Sequence, residues 1–132
     1  MPILFRASAP VWTALALTGA MALKHYLADF LLQGSWMARG KERSRGWVGP
    51  LLAHAGCHAM LTLGIALMVA PRLWWLATVD FTIHAAIDRV KTLVAHWGGW
   101  APAQPRFWWL LGLDQFLHNL TGLGLVLALL AL

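Results

Sequence analysis

Eight side chains able to bind a metal or carry a proton recur at one spacing: His25 with Asp29, His54 with His58, His84 with Asp88, and Asp114 with His118. Members of each pair are four residues apart, which puts both on one face of a helix. With Asp80, one turn before His84, they take up four of the five acidic residues and five of the six histidines; only Glu42 and His96 fall outside. Imidazoles and carboxylates brought together on facing helices are a ligand set for Zn, Fe, Mn or Ni. The eight groups exceed what one four- to six-coordinate ion needs. The expectation is therefore one or two divalent ions, Zn or Fe/Mn, with surplus residues orienting the ligating histidines.

The elements that must carry these pairs are apolar. Of 132 residues, 60% are hydrophobic and 11% charged, and nine are Trp, a balance suited to a membrane rather than to a soluble domain. Four apolar segments run from about Pro10 to Met37, from Trp47 or Pro50 to Val69, from Leu73 to Trp97, and from Phe107 to Leu132. Each can cross a hydrocarbon layer of about 30 Å at about 1.5 Å per residue. Gly and Pro punctuate the connections "RGKERSRG", "APR" and "GGWAPAQPR", and short connections make neighbouring helices antiparallel. The expected fold is all-α: a polytopic, four-transmembrane-helix antiparallel bundle forming one domain over residues 1–132, with a buried His/Asp cluster.

Charge supplies the orientation. Arg39, Lys41, Arg43, Arg45, Arg89, Lys91 and Arg106 share one side, against Arg6 and Arg72 on the other. Basic residues favour the cytoplasm, so the first and third loops are expected inside and both termini outside, in a bacterial inner membrane. The net charge of +5 is thus a topology signal, and no nucleic-acid partner is implied. The opening "MPILFRASAP", with one Arg, does not read as a cleaved leader. A lone Cys57 excludes an intramolecular disulfide and a cysteine-based zinc cluster.

Counted inward from the cytoplasmic ends, Asp29, Asp88, Asp114 and His58 lie about eight to ten residues deep, and His25, His84 and His118 about twelve to fourteen. These are adjacent layers, with His54 shallower unless its helix begins near Trp47. Lys24 is expected to extend toward a water-filled cavity or the interface. Asp80 lies a turn beyond the layers and is expected to matter much less than His84 or Asp88. Gly56, Ala59, Gly112 and Gly122 are read as points of close helix contact. Arg89 and Lys91 are read first as snorkelling anchors, with a hold on a substrate anion as the alternative role of Lys91.

The elements "HYLADFLLQ", "HAGCH", "IHAAIDRVK" and "DQFLH", in this order, resemble an uncharacterised family of small bacterial membrane proteins, a domain-of-unknown-function group with HxxxDFxxQ, HxxxH, IHxxxDxxK and DQxxH elements. By that resemblance His25, Asp29, Gln33, His54, His58, His84, Asp88, Lys91, Asp114, Gln115 and His118 hold the family's motif positions. The family implies the site and the fold but no reaction. A looser similarity to membrane-embedded metal-dependent hydrolases with His and Asp ligands is an analogy of site type.

The expected function is a metal-dependent hydrolase acting on a lipid or other amphiphile from the cytoplasmic side. One of Asp29, Asp88 and Asp114, Asp29 foremost, would serve as general base or bridging ligand, and Lys91 or Gln115 would steady the developing oxyanion. A diiron-type oxidase or hydroxylase is the second candidate, although the bundle offers no Glu ligand. The third is a proton or metal-ion carrier, or a small subunit of a larger membrane complex. Membrane lipid is the expected partner, with a homo-oligomer or larger complex open. A purely structural network of hydrogen-bonded helix clamps is the alternative to all three.

Overall fold

The computed structural model describes residues 9–132, and within them the chain is all-helical, without strands. Arg6 and the opening stretch read as uncleaved lie outside the described residues. Helix α1 covers Ala9–Tyr26, α2 Ser35–Gly40, α3 Val48–Val69, α4 Leu76–Gly98 and α5 Pro105–Ala131. The helices α1, α3, α4 and α5 form a closed ring in which each touches the next and α5 returns to α1. The Arg72 guanidinium donates to the carbonyl of Leu132, so the second connection and the end of α5 meet at one end of the bundle.

The ends follow local chemistry. Pro105 opens α5 after an extended Gln104, as the residue before proline must be. Gly99, at φ 60°, closes α4 in a left-handed turn: its N–H reaches His96 O, and the Trp100 N–H reaches Ala95 O at 3.0 Å. That pair of bonds satisfies carbonyls the helix end would otherwise leave open.

One expectation is corrected. The segment from Pro10 to Met37 is not a single continuous helix. After Tyr26 it widens into a π-helical turn, Leu27–Leu32, then becomes extended at Gln33 and Gly34 before α2 begins. Such π turns concentrate at functional sites, and this one contains Asp29. Helix α2 then folds back onto the start of α3, where a methyl on Gly40 would run into the Pro50 ring. Close approach is therefore at Gly40. A methyl at Gly56 or Gly112 would meet nothing within 4 Å, and one at Gly122 would only touch Met21 at 3.7 Å.

Burial is inverted relative to a soluble bundle. The buried stripe of α4 includes Asp80, His84, Asp88 and Thr92, four residues apart throughout, while Val90 and Trp97 face outward. Phe30, Leu31, Met60, Met68, Trp109 and Leu127 are likewise exposed. An apolar belt of this extent needs a lipid or protein cover. Three helical stretches, Pro10–Leu32, Val48–Val69 and Pro105–Ala131, are long and apolar enough to cross a membrane. Helix α4 has the length, but Asp80, Asp88, Arg89 and Lys91 keep it out of that set. The apolar core of Leu17, Met21, Ile65, Ala66, Leu125 and Leu129 fills the bundle beside the second connection. The polar cluster occupies the other half.

Candidate metal centre

Because α3 begins at Val48, His54 sits at the same level as the other pairs. All five inward histidines turn Nε2 into one volume. His58 Nε2 lies 2.9 Å from Asp29 Oδ1, and His54 Nε2 lies 3.4 Å from that same oxygen. The Nε2 atoms of His54 and His84 are 3.1 Å apart. Asp29, His54, His58 and His84 each offer a donor atom within 4.8 Å of all the others. A tetrahedral ion with bonds of about 2.0–2.1 Å holds its ligands about 3.3 Å apart. Three of the six separations, at 2.9, 3.1 and 3.4 Å, are close to such an edge.

A second group shares His84. It comprises His84, Asp88 and His118, with His118 Nε2 3.3 Å from Asp88 Oδ1 and His84 Nε2 3.7 Å from Asp88 Oδ2. The His84 ring is stacked between His58 and His118, with centroids at 3.7 and 4.1 Å, which fixes its direction. A neutral imidazole has one lone pair at Nε2. His84 can therefore serve one ion at a time, and the two groups are alternative or unequal sites rather than twins.

Fixed charge supports a cation. Lys24 pairs with Asp80 at 2.5 Å, Lys41 with Asp88 at 2.7 Å, and Lys91 with Glu42 at 3.1 Å. Among the described residues, no Lys or Arg pairs with Asp29 or Asp114; imidazoles and amides surround both. Lys91 stands near Asp114 in the cavity they share, so Asp29 is the carboxylate with imidazoles alone around it, a costly arrangement that a divalent ion would offset. Gln33 Oε1, His54 Nδ1 and His58 Nδ1 are in addition buried polar atoms without a hydrogen-bond partner. The donor set and the charge both fit a divalent metal.

The remaining expected residues take supporting positions. His25 lies outside both donor groups, with Nε2 3.0 Å from Asp29 Oδ2 and 3.2 Å from Gln115 Oε1. Asp114 also lies outside them, 3.4 Å from His118 Nε2 and accepting from the Gln115 amide at 3.1 Å. Gln115 thus ties His25 to Asp114. Gln33 donates to the backbone carbonyl of Asp29 at 3.0 Å, occupying an acceptor at the end of the π turn. Lys91 reaches across to Glu42 rather than only to the membrane surface. Arg89 stacks over Trp47 at 4.0 Å and donates to Arg43 O, tying α4 to the first loop.

Two readings of single residues change. Lys24 does not extend to the interface: it borders a cavity between α1 and α5, but its ammonium is paired with Asp80, which also accepts from the Thr62 hydroxyl at 2.6 Å. Asp80 is accordingly the centre of its own buried ionic triad. Lys41, read as a loop charge setting topology, is buried on Asp88. The stripes 54, 58, 62 on α3 and 80, 84, 88, 92 on α4 continue at spacing four through Thr62 and Thr92, a signal that points to both threonines. Nothing comparable marks Lys41, whose position follows from the fold-back of α2.

A family model described as "Protein of unknown function (DUF3307)" matches residues 17–130. No curated protein and no solved structure matches the chain.

Proposed function

The chain belongs to this family of proteins of unknown function, and from its own donor groups we propose an integral-membrane, metal-dependent hydrolase acting on a lipid or other amphiphile. The observation that carries the reading is the set Asp29, His54, His58 and His84, whose donor atoms all lie within 4.8 Å of one another inside an apolar bundle. In this reading α4 is a fourth span beside the three apolar ones, its charges turned inward onto partners from α1, α2 and α3. The charge bias supports, in this reading, a multi-pass inner-membrane protein with its first and third loops in the cytoplasm.

A bound divalent ion would polarise the scissile group and bring a water molecule's pKa to about 7. The chain's own residues would do the rest. Asp29 holds a ligand position with Oδ1 and accepts from His25 with Oδ2, which suits it to pass a proton outward. Asp114, fixed by Gln115 through Oδ2, turns Oδ1 toward His118 Nε2 at 3.4 Å, a pair suited to take the proton of an incoming water. Lys91 and Gln115 line the same cavity as Asp29, Asp88 and Asp114, where they can steady a developing oxyanion.

The test is elemental analysis of protein purified without chelator or nickel affinity, followed by hydrolysis assays on lipid esters. Stoichiometric Zn or Mn with turnover supports the proposal. Iron with visible absorbance would replace it by redox chemistry, and metal-free, fully folded protein would end it.

A carrier is the second reading, favoured by one observation. A separate cavity of about 230 Å³ between α1 and α5 is lined by Lys24, His25, His118 and Asn119. The cluster thus borders two cavities, as an ion path requires. Uptake of metal or protons by proteoliposomes, with no hydrolysis of any ester, would select this reading.

A further inference from the structure

The cavity in front of the donor groups has a wall that the hydrolase reading does not explain. It encloses about 380 Å³, a size suited to a lipid headgroup, and its floor is formed by Asp29, Asp88 and Asp114. Three cations, Arg39, Lys41 and Lys91, stand around it. Lys41 and Lys91 are held in place by Asp88 and Glu42, whereas Arg39 has no partner among the described residues. An unpaired guanidinium over a cavity of fixed charges is a fork for phosphate or carboxylate oxygens. Gln33 Oε1, also on the wall, is a buried acceptor still lacking a donor.

Phe30 shapes the mouth. It lines the cavity and is 71% exposed on the apolar outer surface. A molecule can therefore reach the site sideways, keeping an apolar tail outside while its polar end enters. With a divalent ion in the donor groups, the cavity carries a net positive charge, its three cations and the ion outweighing Asp29, Asp88, Asp114 and Glu42.

The geometry points to a phosphate monoester on an amphiphile as the ligand, with its phosphate oxygens between Arg39 and the metal centre and its tail passing Phe30. The assignment rests on the hydrolase reading and narrows it. The reaction is then hydrolysis of a phosphoester. Water oxygen bonds to phosphorus, the bond from phosphorus to the lipid oxygen breaks, and one water proton goes to the departing alkoxide. The products are a lipid alcohol and hydrogen phosphate, with no change of oxidation state.

The experiment uses the full chain in detergent micelles, with metal content read on every sample. Thermal stability is followed while adding dioctanoyl phosphatidic acid, dioctanoylglycerol or inorganic phosphate, since a ligand of the folded state raises the midpoint. The phosphate-bearing lipid should raise it, the neutral lipid should not, and inorganic phosphate should act only at far higher concentration. Arg39→Gln should weaken the lipid's apparent affinity about tenfold or more, with metal content unchanged; Arg45→Gln, in the exposed loop, should not. Release of inorganic phosphate from the same lipid completes the expected result. Equal responses to free phosphate and to the lipid would overturn the amphiphile. Metal-loaded protein that responds only to neutral lipid, or is indifferent to Arg39→Gln, would overturn the assignment and leave the metal hydrolase standing. Absence of metal from wild type would remove both.

Discussion

Asp80→Asn separates the ionic triad from the metal centre. In the wild-type chain Lys24 is 7% exposed, Asp80 2% and Thr62 1%, and one oxygen, Asp80 Oδ2, receives both donors at 2.5 and 2.6 Å. Asparagine keeps the volume and can still meet the hydroxyl, but leaves the ammonium enclosed without a counter-charge. Breaking a buried pair by removing one partner costs about 3–5 kcal/mol. Against the roughly 5–15 kcal/mol that holds a domain folded, this is a large share. Replacing both members, as Lys24→Met with Asp80→Leu, removes the enclosed charge and should recover most of the loss. Reversible unfolding in mixed micelles measures the stabilities, and elemental analysis measures the metal. Asp80→Asn should lose stability, since Asp80 contributes to neither donor group, yet retain metal. A loss below about 1 kcal/mol, or a double variant no better than the single one, would refute the argument. Loss of metal in a stable Asp80→Asn protein would show that the triad belongs to the ion's path.

Other outcomes follow from the same contacts. His84→Ala should abolish metal binding, because both donor groups use His84; stoichiometric metal in the purified variant would contradict this. Removing metal with a chelator should lower the thermal midpoint by at least about 5 °C, since Asp29 then has only imidazoles around it, and restoring Zn or Mn should return it; an unmoved midpoint counts against an integral ion. On a Cys57→Ala background, a cysteine at Ser44 should be labelled from the cytoplasmic face only and one at Ala70 from the opposite face only. The reverse pattern would invert the proposed topology.

The chemistry of the centre was legible because it repeats. Spacing of four in His25–Asp29, His54–His58, His84–Asp88 and Asp114–His118 survives in any helix, so shared faces could be read without coordinates. Level was legible for the same reason, given antiparallel neighbours of similar length. The break at Gln33 and Gly34 is marked by the Gln33-Gly34-Ser35 run, a turn signal outweighed by the apolar residues on either side, and hydropathy does not distinguish the wide turn before it from a narrow one. Pairings across the bundle were illegible. Lys24 finds Asp80 fifty-six residues away, and Lys41 finds Asp88 forty-seven away, through packing angles that no local pattern encodes. Spacing could set eight candidate groups in one half of the bundle but could not rank them. That His25 and Asp114 stand behind the donor groups depends on side-chain direction alone.

The inverted polarity of α4 has a consequence for how the protein is made. On the proposed topology, a helix bearing Asp80, Asp88, Arg89 and Lys91 reaches the insertion machinery with charges that each oppose partitioning by about 2.5–3.5 kcal/mol near its centre. Alone, it would slip through to the far compartment. The preceding α3, joined by only the few residues from Ala70 to Trp75, already holds Thr62 opposite Asp80 and His54 opposite Asp88. The two are therefore expected to enter the bilayer as one hairpin, the earlier helix waiting at the translocation channel for the later one. Biogenesis and the metal centre would then depend on the same side chains, and a chain unable to pair them would be lost before it could ever be metallated.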